Sequence, residues 1–278
     1  MVTKATKRHW TLDDIPWDRF DRAKADPEIV KIVKAAAMVE YNSGDYAAYL
    51  CNVFHDDPEF QAAARHWAEE EVQHGAALAR WAKLADPAFD FEAGFRRFTE
   101  GFKIAVNARE SIRGSRSGEL VARCIVETGT SSYYTALKDA VEEPVLKEIC
   151  RNIAADELRH YKLFYDHLRR YLEKEKVGRL RRLLVAIGRM RETEDDELAY
   201  AYYAANEDAR VPYDRHSYVR ACTRRAYRLY QPWHVQRATS QVLKASGLTP
   251  NGRLAMVAAR AAYRFMQFQT QRFFRAAA

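Results

Sequence analysis

The chain has 278 residues, 45 Lys and Arg against 38 Asp and Glu, a net charge of +7, and 48% hydrophobic residues. That is an ordinary globular balance, with ample apolar material for a core. No apolar run is long enough to cross a bilayer, and the basic N-terminus lacks the apolar stretch of a secretory signal, so no membrane span is expected. The four cysteines, Cys51, Cys124, Cys150 and Cys222, lie far apart with no CxxC pair, which predicts a reduced, cytoplasmic protein.

The predicted elements are all helical. Residues 1–26 read as irregular. Asp26-Pro27-Glu28 supplies a cap followed by proline in the first turn, and the helix it opens should run to about Phe54. His55-Asp56-Asp57-Pro58 is a stop followed by a new start, and a second helix should extend from Pro58 to about Ala85. A shorter helical segment falls within 88–117. A third long helix is expected from about Glu119 to Val141, and a fourth from Pro144 to about Lys176. The remainder predicts helices over 178–207, 214–246 with a break at Pro232, and 250–275. No region sustains period-two alternation, so strand is not expected. The chain reads as one domain, 1–278, with a bundle core over about 27–176 and a helical extension over about 177–278.

A repeat lies in the first four helices. Glu40 is followed by Glu71-x-x-His74, and Glu127 by Glu157-x-x-His160, at separations of 31 and 30 residues from single to paired glutamate. Positions i and i+3 share a helix face, so each pair can address one ion. A gap of about 30 residues spans half a helix, a turn and half the next, which brings the midpoints of antiparallel neighbours level. Two such hairpins would gather four carboxylates and two imidazoles at one depth. This is the arrangement of ferritin-like di-iron and di-manganese bundles. One Glu-x-x-His is expected by chance in a chain of this size. Two in long helices, each preceded at matched distance by a glutamate in apolar surroundings, make a metal site the stronger reading. Four buried acids without a cation would be very costly. Six ligands rich in carboxylate favour two iron ions, with manganese the alternative, over structural zinc.

Two segments resemble a known family. Glu70-Glu71-Val72-Gln73-His74-Gly75, behind Trp67, resembles the E-E-x-x-H-G signature of soluble acyl-(acyl carrier protein) desaturases. Glu148-Ile149-Cys150-Arg151-Asn152-Ile153-Ala154-Ala155-Asp156-Glu157-Leu158-Arg159-His160 is similar to their I-C-x-x-I-A-A-D-E-x-R-H segment. The resemblance covers about residues 27–170 and fades beyond about 180. It implies an all-α, ferritin-like four-helix core with additional C-terminal helices. Glu40, Glu71, Glu127 and Glu157 would divide bridging and terminal roles, and His74 and His160 would each bind one iron. Thr130 matches a threonine beside the oxygen site, though it fits a helix-packing threonine equally well. Asp156 matches an aspartate that joins a ligand histidine to a tryptophan. Trp10 is the matching tryptophan, or else simply an anchoring aromatic.

The function implied is an O2-dependent di-iron oxidase that desaturates an acyl chain on acyl carrier protein. The alternatives are a di-iron hydroxylase or N-oxygenase, and a non-catalytic or iron-handling ferritin-like protein. The chain carries no nucleotide-binding fingerprint, so electrons should come from a separate, ferredoxin-like donor. Residues 1–175 hold 26 Lys/Arg and 30 Asp/Glu, whereas 176–278 hold 19 and 8. The basic part is expected to dock acidic partners, with Arg224 and Arg225 as a natural charge-reversal pair. A homodimer is expected. Nucleic acid is not, because no basic–aromatic motif accompanies the charge.

Overall fold

The computed structural model describes residues 9–192 and 196–275. Every regular element among them is helical. Three short 3-10 turns, Leu12–Asp14, Trp17–Arg19 and Arg22–Lys24, lie in the segment expected to be irregular. They are followed by α1 (Pro27–Tyr41), α2 (Ser43–Val53), α3 (Pro58–Ala85), α4 (Phe91–Gly101), α5 (Arg116–Ala140) and α6 (Pro144–Glu175). The C-terminal part forms α7 (Arg179–Glu192), α8 (Asp196–Asn206), α9 (Arg215–Tyr227), α10 (Pro232–Ala245) and α11 (Arg253–Arg275). Residues 193–195, within the single helix expected over 178–207, lie outside the described residues.

The starts of the long helices are built by local chemistry. Asp26, Asp57, Ser115 and Glu143 each accept a backbone N–H in the first turn, from Glu28, Phe60, Gly118 and Leu146. Proline occupies the first turn of α1, α3 and α6, where its missing N–H costs nothing. One expectation needs correction. The first helix does not reach Phe54 but ends at Tyr41, and Asn42 leaves helical geometry before α2 resumes. Asn, Ser and Gly at 42–44 are weak helix formers, and the Ser43 hydroxyl turns inward to donate to the Ala68 carbonyl at 3.1 Å.

α1 packs on α3 and α5 on α6, and α3 lies against α6 to join the two hairpins. The core falls into two apolar clusters. One contains Ile32–Met38 of α1, Ala77–Ala82 of α3, Tyr134–Leu137 of α5 and Ile149–Ala154 of α6. The other contains Leu50 and Val53 of α2, Phe60–Ala68 of α3, Leu120–Ile125 of α5 and Tyr161–Tyr171 of α6. α3 and α5 run from the second cluster to the first, while α6 runs from the first to the second. Because α3 and α5 share a direction, the connection carrying α4 must cross the length of the bundle, as in ferritin-like folds. Each long helix changes cluster at its predicted ligand. Gly75 permits the close approach of α1 and α3: a Cβ there would lie 2.6 Å from the Tyr41 nitrogen and 2.8 Å from the Ala37 oxygen.

Candidate metal centre

Between the two apolar clusters lies one polar layer, and it contains all six predicted ligands. Glu40, Glu71, His74, Glu127, Glu157 and His160 are buried. Their donor atoms form two overlapping groups: Glu40, Glu71, His74 and Glu157, and Glu71, Glu127, Glu157 and His160. Within each group the donors lie within 4.8 Å of one another. Glu71 and Glu157 belong to both groups. Glu71 Oε2 is 3.3 Å from His74 Nδ1, and its Oε1 is 3.0 Å from His160 Nδ1. Glu157 Oε1 is 3.3 Å from His74 Nδ1, and its Oε2 is 4.0 Å from His160 Nδ1. Each of these carboxylates thus offers one oxygen to either side, as a bridge between two ions must. Glu40 on α1 and Glu127 on α5 each flank one side.

The residues fit a pair of cations. Both oxygens of Glu127, Oε1 of Glu157 and Nδ1 of His160 are buried without a hydrogen-bond partner, and such groups are stable in an interior only when a ligand or ion completes them. Two divalent ions would balance four carboxylates. Burial, reinforced by neighbouring acids, pushes the Glu40 and Glu127 carboxyls well above the usual carboxylate range. For His74, burial opposes the charged ring, but the neighbouring carboxylates of Asp156, Glu157 and Glu71 outweigh it and hold its pKa well above the ordinary value. His160 is raised in the same sense by Glu127, Glu70 and Glu71. Both directions reflect negative charge crowded into a dry interior.

The surrounding contacts orient the imidazoles. His74 Nε2 lies 3.0 Å from Asp156 Oδ2, which also accepts the Trp10 indole N–H at 2.7 Å. Burial alone would raise Asp156, but its bonds with His74 and Trp10 keep it below the usual carboxylate range. An ionised Asp156 only accepts, so His74 donates from Nε2 and its Nδ1 faces the carboxylates, where a bound cation would take the place of a proton. The Trp10 ring stacks on His74 with centroids 5.9 Å apart and planes 2° from parallel, and its carbonyl accepts from Gln73 Nε2 at 2.9 Å. Thr130 Oγ1 lies 2.5 Å from Glu157 Oε2 and also within reach of the Val126 and Glu127 carbonyls. It therefore back-bonds to its own helix and also touches a shared carboxylate.

Two contributors were not singled out by the sequence reading. Glu70 Oε2 lies 2.7 Å from His160 Nε2 and does for His160 what Asp156 does for His74. The signal was present: an acid immediately precedes the glutamate of each Glu-x-x-His, and each acid serves the histidine of the other hairpin. Tyr134 is fully buried and its hydroxyl donates to Glu40 Oε1; a tyrosine seven residues after Glu127 gave no such hint. Of the remaining histidines, His234 is buried and held by Asp139 at 3.0 Å and the Gln231 amide at 2.8 Å, a structural role. His9 and His66 each bring a donor within 4.8 Å of Glu70 at the surface, where Glu70 is already engaged by His160 and Arg159.

A cavity of about 440 Å³ opens between α10 and α11, lined by Met256, Ala259, Arg260, Tyr263 and their neighbours. A smaller one lies between Ser131, Ser132 and Thr135 of α5 and Trp233 and Arg237 of α10. Neither is lined by any of the six predicted ligands. No model of a known protein family matches the sequence, and no characterised protein matches it significantly.

Proposed function

We propose that this chain is an O2-dependent di-iron oxidase that introduces a double bond into an acyl chain carried on acyl carrier protein. The observation that carries this reading is the pair of carboxylates, Glu71 and Glu157, each facing both imidazoles, with the Thr130 hydroxyl 2.5 Å from one of them. Four hard carboxylates and two imidazoles suit iron, with manganese the alternative. A bound iron pair would supply the oxidising power to break unactivated C–H bonds. The reaction balances as a –CH2–CH2– unit, O2, two electrons and two protons giving –CH=CH– and two waters. The electrons come from a separate ferredoxin-like donor.

The protein's own part is holding, orienting and excluding. Asp156 and Glu70 hold the two imidazoles by their outer nitrogens, which leaves the inner nitrogens to take the ions in place of protons. Thr130 can donate to Glu157 or pass a proton from its hydroxyl beside the shared carboxylates. The two apolar clusters keep the layer dry, which prevents bulk water from quenching a strong oxidant. The resemblance in the Glu70–Gly75 and Glu148–His160 segments selects desaturation among the reactions such a centre supports.

The test supplies iron-loaded protein with reduced ferredoxin, O2 and acyl chains on acyl carrier protein, and analyses the product by mass. A loss of two hydrogens with no oxygen gained is expected. A hydroxylated product, or N-oxidation of an amine substrate in place of desaturation, would replace this reading with the oxygenase. Iron uptake without turnover would favour iron handling.

A further inference from the structure

After Asp214 the sequence contains no acidic residue, yet residues 215–278 carry eleven arginines and one lysine. Its last helix, α11, is arranged inside out. The side chains it buries against the molecule include Ala255 and Ala259, while Leu254 is 63% exposed, Val257 62%, Phe265 51% and Phe268 59%. At 3.6 residues per turn, Leu254, Val257, Ala261, Phe265 and Phe268 fall within about 80° of arc and form one stripe about 21 Å long. Arg253, Arg260 and Arg264 fall within about 40° along one edge of that stripe. A water-soluble surface does not ordinarily gather large apolar side chains in this way.

We infer that α11 is a surface-binding helix for anionic lipid, lying in the plane of a bilayer with the Leu254–Phe268 stripe in the acyl boundary and the arginines at the headgroup phosphates. Three observations select this occupant. A row of cations along one edge of an apolar stripe matches the composition of helices that lie at a membrane interface. A second copy packed stripe on stripe would meet these arginines with a segment, 215–278, that has no acidic side chain to pair them. A protein partner takes a lone amphipathic helix in a groove, whereas α11 is itself packed on α9 and α10 and offers only its outer face. No helix of the described residues is long and apolar enough to span the membrane, so attachment would be at the surface. The stripe is separate from the metal layer, and the inference stands whatever reaction that layer performs.

The test is co-sedimentation of the metal-loaded full chain with vesicles of phosphatidylglycerol and phosphatidylethanolamine, or of phosphatidylcholine alone. Binding should be at least about tenfold stronger to the anionic vesicles and should weaken as salt rises. Phe265→Ser with Phe268→Ser, and separately Arg260→Gln with Arg264→Gln, should each reduce it about tenfold. Metal content and helical signal should be unchanged in both, which shows the chain still folds. Equal binding to neutral vesicles, or undiminished binding by both variants, would overturn the assignment. So would failure to bind anionic vesicles, and if the phenylalanine variant also converts a dimer to a monomer, the stripe is an interface between copies instead.

Discussion

Glu71 and Glu40 are both buried acids in the same layer, but Glu71 faces both imidazoles and Glu40 only the His74 side. Removing them should therefore have unequal consequences. The wild-type chain should bind about two metal ions, as the donor set of such bundles does. Glu40→Ala should leave the His160-side ion, and Glu127→Ala the His74-side ion, each giving about one. Glu71→Ala removes a ligand from both positions and should fall below one. Metal analysis after desalting, with circular dichroism to confirm folding, reads this out; equal losses in the three variants would sink the shared role of Glu71. The six candidate ligands were legible in the sequence because spacing along a helix is local. Their division into shared and flanking was not, because it depends on packing. α3 and α6 are neighbours, so the glutamates of the two Glu-x-x-His pairs meet in the middle. Glu70 was missed for the same reason: its partner, His160, is 90 positions away.

At the scale of elements, Asp57 shows how a start signal becomes a tertiary tie. Its Oδ1 accepts the Phe60 N–H at 3.1 Å, and its Oδ2 accepts the Tyr171 hydroxyl at 2.7 Å and the Arg170 guanidinium. It thus caps α3 and joins it to the last turns of α6. Burial acts to raise its pKa, but these bonds prevail and hold the carboxyl below the usual range. A carboxylate lowered on folding stabilises the fold above its unfolded pKa of about 3.9, and that stability is lost as pH falls through the lower folded value. Asp57→Ala should cost about 1–2 kcal/mol near neutrality. The gap between wild type and variant, measured by urea unfolding of metal-free protein, should narrow below about pH 4. A gap that stays constant into acid would show that the carboxylate charge is not what matters. Starts of this kind, Asp26-Pro27, Asp57-Pro58 and Glu143-Pro144, are why the long helices could be placed from sequence. The break at Asn42 could not, because it rests on Ser43 reaching the Ala68 carbonyl across α3.

Over the whole molecule, charge is divided as the sequence indicated, with the excess of cations confined to residues 176–278. What the sequence could not show is which arginines are free to meet a partner. Arg225 is only 7% exposed and its guanidinium lies 2.6 Å from Glu28 at the start of α1, while Arg228 faces Asp26 at 3.0 Å. Part of the basic excess thus stitches α9 to the bundle, and reversing Arg225 would test folding rather than docking. Arg179 and Arg191, exposed on α7, are the better pair. If acyl carrier protein docks on this side, its association rate should fall steeply as salt rises, because exposed charges are screened beyond about 10 Å at 0.1 M ionic strength. Arg179→Glu with Arg191→Glu should slow association by about tenfold and leave dissociation little changed, since charges at a contact's rim act mainly on encounter. Stopped-flow measurement with a labelled carrier, at low and high salt, separates the two rates. An association rate indifferent to salt, or equal in wild type and variant, would place the carrier on another surface and leave the C-terminal arginines to the bundle and to α11.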